Sequence, residues 1–316
     1  MKKIRTGVIG TGYLGQFHAE KYAALPNVEL TGIVEKDHAR GEQIARKLNT
    51  EAFTDLSRLL GRVDAVSIVV PTVLHFEIAK EVLDAGVHLL LEKPITVTVE
   101  QADELIALAS RKQVVLQVGH IERFNPAVTS IRPLLRSPRY MQAERSAPFT
   151  VRCTDVNVVL DLMIHDLDIV TDLSGSKPLK VSSAGASIIT REIDSVMARI
   201  VFANGCIADV SASRISDEKK RLLRIFDGDT LYTADYQTQK AFVSRRGPSE
   251  VPEFVATEVA TERRDTLSEE IKAFIGCIEN RSRPAVSGTE GRNALALARL
   301  ITHSIENNIT EFVPFP

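Results

Sequence analysis

The sequence predicts an α/β protein in two parts: an amino-terminal doubly wound parallel sheet, then an α+β half built on a largely antiparallel, open sheet. Three observations predict it. Short apolar runs alternate with helical patterns from Ile4 to Gly119, a glycine-rich turn follows the first of those runs, and beyond residue 122 the rhythm changes to strand-like segments interrupted by prolines. A chain of 316 residues is long for one core, since domains average about 150 residues, so two domains are expected. They are drawn at 1–122, for nucleotide binding, and 123–316, for substrate binding and oligomerisation.

The strands of the first part are "IRTGVIG", "VELTGIV", "AVSIVV", "HLLLE" and "VVLQVG". They are rich in Val, Ile and Leu without polar alternation, as strands buried on both faces are. The segments between them, such as "LGQFHAEKYAAL" and "HFEIAKEVLDAG", read as helices; Gly86 closes one and Thr98 caps the next.

The turn Gly10-Thr11-Gly12-Tyr13-Leu14-Gly15 joins the first strand to the first helix. Gly10 permits the tight turn, Gly12 clears space for a pyrophosphate, and Gly15 lets helix and strand pack closely. The helix amino end then offers free N–H groups to phosphates, so this part predicts dinucleotide binding in a Rossmann domain. The second strand ends at Glu35, twenty residues after Gly15, where a carboxylate suits ribose hydroxyls and repels a 2′-phosphate. NAD is therefore expected over NADP, with Lys36, Arg40 and Arg46 as the nearby cations.

Ligands of open α/β sheets bind beyond the carboxyl ends of the strands. That edge gathers Pro71 and Thr72, then Glu92 and Lys93, then Gly119 and His120. Lys93, which ends an apolar strand, is thereby placed at the nicotinamide. His75 reads first as a structural residue that opens a helix on the same edge.

In the second part, "SVMARIVFANGCIADVSASR" and "RLLRIFDGDTLYTADY" read as hairpins with turns at Asn204-Gly205 and Asp227-Gly228. Before them lies "VVLDLMIHDLDIVTDLSG". As a helix it has an apolar stripe of Leu160, Met163, Ile164, Leu167 and Val170, with Asp161, His165, Asp168 and Asp172 along another face. An imidazole oriented by a carboxylate one turn away suits a general base. No second histidine shares that face, so no metal site is expected.

Composition limits the partners. The net charge of −2 with 25% charged residues gives no basic surface for nucleic acid, and no apolar run approaches the roughly 20 residues of a membrane span. Cys153, Cys206 and Cys277 lie far apart and read as reduced thiols, so a cytoplasmic protein is expected.

Gly10-Gly12-Gly15, Glu92-Lys93-Pro94, and Asp161 with His165 together resemble the glucose-fructose oxidoreductase and inositol dehydrogenase (Gfo/Idh/MocA) family over nearly the whole chain. The resemblance implies an NAD(P)-dependent enzyme oxidising or reducing a sugar-type hydroxyl, and dimers or tetramers formed through the open sheet. It makes Lys93, Asp161 and His165 the catalytic residues, with either Lys93 or His165 as the base. Met163 stands where many relatives have glycine, which implies a changed pocket shape. "VGHIERFNPAV" and "VVLDLMIHDLDIV" resemble the branch of UDP-N-acetylglucosamine 3-dehydrogenases, whose 3-keto products feed amino-sugar synthesis for lipid A type glycans. For such a substrate Arg123, Asn125, Arg145 and Arg152 are candidate ligands, the arginines for the diphosphate, with salt bridging as their alternative role. A free polyol or aldose such as inositol or glucose is the other substrate expectation, and an NAD(H)-binding sensor without turnover the alternative of another class.

Overall fold

The computed structural model describes residues 3–150, 156–248 and 253–313. The chain forms two compact units. One gathers the chain through Ile121 together with Asp265–Arg292; the other gathers Glu122–Arg264 and the chain from Asn293.

The first unit runs β1 (Ile4–Ile9), α1 (Gly15–Ala24), β2 (Val28–Val34), α2 (His38–Leu48), β3 (Glu51–Phe53), α3 (Ser57–Leu60), β4 (Ala65–Ile68), α4 (His75–Asp84), β5 (His88–Leu91), α5 (Val99–Lys112) and β6 (Leu116–Val118). Its sheet is parallel with strand order β3-β2-β1-β4-β5-β6. The order reverses between β1 and β4, which opens a crevice at their carboxyl ends. Burial explains the unbroken apolar runs: Ala65, Val66 and Ile68 of β4 and Leu89, Leu90 and Leu91 of β5 have no exposed surface. Thr98 caps α5 through a reciprocal pair, its hydroxyl accepting from the Gln101 N–H and the Gln101 side chain accepting from the Thr98 N–H.

The second unit contains α6 (Pro126–Ile131), β7 (Tyr140–Ser146), a π-helical turn (Val159–Met163), α7 (Ile164–Ser174), β8 (Pro178–Ala186), β9 (Ser195–Phe202), β10 (Ile207–Ser213), β11 (Lys220–Asp227), β12 (Thr230–Asp235), β13 (Lys240–Arg246) and β14 (Phe254–Val259). Then follow α8 (Thr266–Asn280), α9 (Gly288–Asn307) and β15 (Glu311–Phe312). The nine-stranded sheet has order β14-β13-β12-β11-β7-β10-β9-β8-β15, with β7 and β10 parallel and the other pairings antiparallel. Gly205 and Gly228 adopt φ of +85° and +62° at the two expected hairpin turns. Met163, Ile164, Leu167 and Val170 pack into the core of this unit, and Leu160 lies at its edge.

The expected boundary at residue 122 needs one correction, because α8 returns to the first unit. Its Leu267, Ile271, Phe274 and Ile275 share a buried cluster with Val8, Ala19, Tyr22 and Ile33. Among the described residues no helix is long and apolar enough to cross a membrane. Cys206 and Cys277 are buried free thiols, and Cys153 lies outside the described residues.

Candidate active site

In the first unit the glycine turn is shaped by close approaches. Gly10 has φ of +84°, and a Cβ there would stand 2.5 Å from the Val69 carbonyl oxygen; a Cβ on Gly15 would stand 1.9 Å from the Gly10 oxygen. At Gly12 a Cβ would meet nothing within 4 Å, so the space in front of the turn is open. Helix α1 begins with no side-chain cap and no acidic residue in its first turn. An uncapped helix start facing open space fits a dinucleotide's phosphates. Thr11 is buried, whereas Tyr13 and Leu14 reach outwards, Tyr13 standing edge-on to Phe17.

Glu35 closes the turn from the end of β2. Its Oε2 accepts from the Thr11 N–H and hydroxyl at 2.9 and 3.0 Å, and its Oε1 from the Asp37 N–H at 3.1 Å. Burial opposes its charge, but these hydrogen bonds hold its carboxyl below the usual range. The carboxylate is thus a charged acceptor fixed beside the glycine turn. Arg40 pairs with Asp37 and Arg46 with Glu42. Pro71 and Thr72 lead into a 3₁₀ turn after β4. His75 is buried with its ring nitrogens against the Pro94 and Val70 oxygens, so it ties this turn to the Lys93-Pro94 segment, and burial lowers its pKa.

Glu92 and Lys93 follow β5, and the Lys93–Pro94 peptide is cis. Glu92 Oε2 accepts from the Lys93 N–H at 3.2 Å, and Oε1 lies 3.3 Å from His18 Nε2. His18 Nδ1 meets the Ser67 hydroxyl at 3.1 Å, and Tyr22 meets that same hydroxyl at 2.8 Å. Lys93 is half-buried. Sequence reasoning passed over His18, because nothing near it in the chain announces Glu92 as its partner.

In the second unit Asp161 stands within the π-helical turn and His165 in the first turn of α7, both half-buried. Asn157 Oδ1 accepts from the Leu160 N–H and so caps the approach to this turn. Single π turns inside helices recur at functional sites. Met163 is buried in the core of this unit.

The polar face expected on this helix divides. Asp166 and Asp168 are buried, Asp166 against Arg145 at 2.6 and 3.2 Å and Asp168 against Arg123 at 2.6 and 3.1 Å. Arg145 also reaches Glu122, and Arg123 reaches Asp172. These carboxylates raise the Arg145 pKa against the cost of its burial. Asn125 caps α6 through the Ala127 N–H and donates to Glu122 and the Tyr236 carbonyl. The donors of Arg123, Asn125 and Arg145 are thus directed into their own unit, the salt-bridging alternative in buried form. Arg152 lies outside the described residues.

Comparison with known proteins bears on both units. Residues 4–120 match an oxidoreductase family with an NAD-binding Rossmann fold, and residues 135–230 match the GFO/IDH/MocA C-terminal domain. The chain is 39% identical over 310 residues to UDP-N-acetylglucosamine 3-dehydrogenase of Acidithiobacillus ferrooxidans, covering 97% of this chain and 98% of that protein. A solved structure of that enzyme matches with a TM-score of 0.92 over 97% of this chain and 99% of its own. Inositol 2-dehydrogenase of Rhizobium meliloti is 26% identical over 322 residues, 96% of this chain and 97% of that protein. Levoglucosan dehydrogenase, solved with NADH and levoglucosan, shares the fold with a TM-score of 0.90 at 19% identity, over 99% of this chain and 100% of its own.

Proposed function

The chain belongs to the GFO/IDH/MocA family of NAD-binding oxidoreductases, and from that premise we propose that it oxidises the 3-hydroxyl of UDP-N-acetylglucosamine to the 3-keto sugar nucleotide. The observation that carries this reading is the 39% identity to a UDP-N-acetylglucosamine 3-dehydrogenase, sustained over 97% of the chain. Inositol 2-dehydrogenase of Rhizobium meliloti stands further off, at 26%.

Bound NAD supplies the hydride acceptor. The Gly10–Gly15 turn and the start of α1 would receive its diphosphate, and Glu35 would accept from its ribose hydroxyls. His165, oriented by Asp161, takes the proton of the reacting hydroxyl as hydride leaves the same carbon. Lys93, in the first unit, is a hydrogen-bond donor suited to stabilising negative charge that develops on a reacting oxygen. Arg123 and Arg145 serve by anchoring α7. The half of the second sheet formed by β7, β9, β10 and β11 carries Met197 and Phe226 exposed beside charged residues, which supports assembly with a second copy of the chain; light scattering would then give a multiple of 34.8 kDa.

The test is NADH absorbance on mixing protein and NAD with UDP-N-acetylglucosamine, UDP-glucose, glucose or inositol, with an aminotransferase and glutamate present to draw off the ketone. Signal from the acetylated sugar nucleotide, lost in Lys93→Met with NAD binding intact, is the expected result. Signal from a free sugar alone would replace the substrate, and near-normal turnover by Lys93→Met would remove the lysine's role.

A further inference from the structure

The polar cluster around Glu92 contains a group that this mechanism leaves unused. Glu270, in the second turn of α8, is completely buried, and neither carboxyl oxygen has a hydrogen-bond partner among the described residues. Its peptide oxygen accepts from Gln117 Nε2 at 3.2 Å, which ties α8 to β6. The titratable groups bearing on it are Glu92, after β5, and Tyr22, on α1. His18 and Lys93 contact Glu92 in turn.

An ionised carboxylate without a donor, shut off from water and beside a second carboxylate, is strongly disfavoured. Burial and the Glu92 charge together push Glu270 well above the usual carboxylate range. Glu92, its side chain 12% exposed, goes the other way: against burial, its contact with His18 and the charge and N–H of Lys93 hold it below that range. The two carboxyls are thus driven in opposite directions, Glu270 toward the acid and Glu92 toward the carboxylate. Gly119 belongs to the same arrangement, since a Cβ there would come within 2.8 Å of Glu92 Oε1.

We propose that Glu270 is a positioning residue for Lys93: as a buried carboxylic acid it leaves the cluster's negative charge to Glu92, which holds the Lys93 main chain at the strand end. The inference rests on the role given to Lys93 above. Ionising Glu270 would set a second charge against Glu92 and loosen its hold.

Infrared spectroscopy of the full-length protein with NADH reads the acid without turnover. At neutral pH the wild type should show a deuterium-sensitive carboxylic-acid C=O band that Glu270→Gln lacks. In Glu92→Gln the band should vanish at lower pH than in wild type, because the charge that raised it is gone. In the sugar assay Glu270→Ala should lose about tenfold in kcat with KM within about threefold, and Glu270→Gln should recover most of that loss. A wild type without the band, or a band surviving in Glu270→Gln, overturns the protonation, and an unmoved titration in Glu92→Gln overturns the link to Glu92 and with it the positioning role. Should Glu270→Ala fail to fold, the band and the Glu270→Gln kinetics still decide. Wild-type kcat in Glu270→Ala overturns the positioning role, whereas full activity in Lys93→Met removes the reading beneath it and leaves the infrared result standing.

Discussion

Glu35 holds the glycine turn through Thr11, and in the proposed function the same side chain sets nucleotide choice. Its Oε2 already accepts twice from Thr11, so its charge is fixed at the glycine turn before any ribose arrives. Replacing it by serine removes charge-assisted hydrogen bonds and the repulsion of a 2′-phosphate. NADH should bind about tenfold more weakly in Glu35→Ser, and the preference over NADPH should narrow. Fluorescence titration with both nucleotides measures this, and an unchanged ratio of the two affinities would show that selectivity lies elsewhere. Residues like Gly10, Gly15 and Glu35 were legible in the sequence because backbone sterics and strand ends impose them locally. His18 and Glu270 were not, because their meaning comes from Glu92, far along the chain from both, and from burial that no local pattern encodes.

At the scale of the element, α7 and its π turn carry Asp161 and His165, and buried ion pairs hold the helix. The apolar stripe was readable from helical spacing, since Met163, Ile164, Leu167 and Val170 all reach the core. Of the expected polar face, Asp168 and Asp172 answer Arg123, while Asp166, which lies outside it, answers Arg145. Spacing registers a carboxylate's direction on a helix but not the guanidinium that a distant strand brings to it. Arg145 of β7 is 3% exposed and stands between Asp166 and Glu122. Arg145→Met leaves Asp166 buried without its cation and Glu122 with Arg221 in its place, which costs about 3–5 kcal/mol. A marked fall in the urea midpoint, followed by far-ultraviolet circular dichroism, is expected. A midpoint within error of wild type would mean that water compensates the exposed charges, and the helix would then need another anchor.

At the scale of the whole molecule, strand and helix alternation gave the first sheet and hairpin turns gave the second, because both rest on local periodicity. The return of α8 could not be read in this way: an amphipathic helix late in the chain shows that it has an apolar face, but not which core will cover it. In the structure Leu267, Ile271, Phe274 and Ile275 complete the cluster around Val8 and Tyr22. Burying four such side chains contributes roughly 6–12 kcal/mol at about 1.5–3 kcal/mol each. That is comparable with the entire stability of a domain, about 5–15 kcal/mol. A fragment ending at residue 121 should therefore show no cooperative heat-absorption peak in calorimetry, and one carrying residues 265–292 through a flexible linker should regain it. Replacing Phe274 by aspartate in the linked fragment should abolish the peak again, since the charge would enter the same apolar cluster. A cooperative transition in the short fragment, at the temperature of the linked one, would mean that the first sheet closes its core without α8, and the unit boundary would return to residue 122.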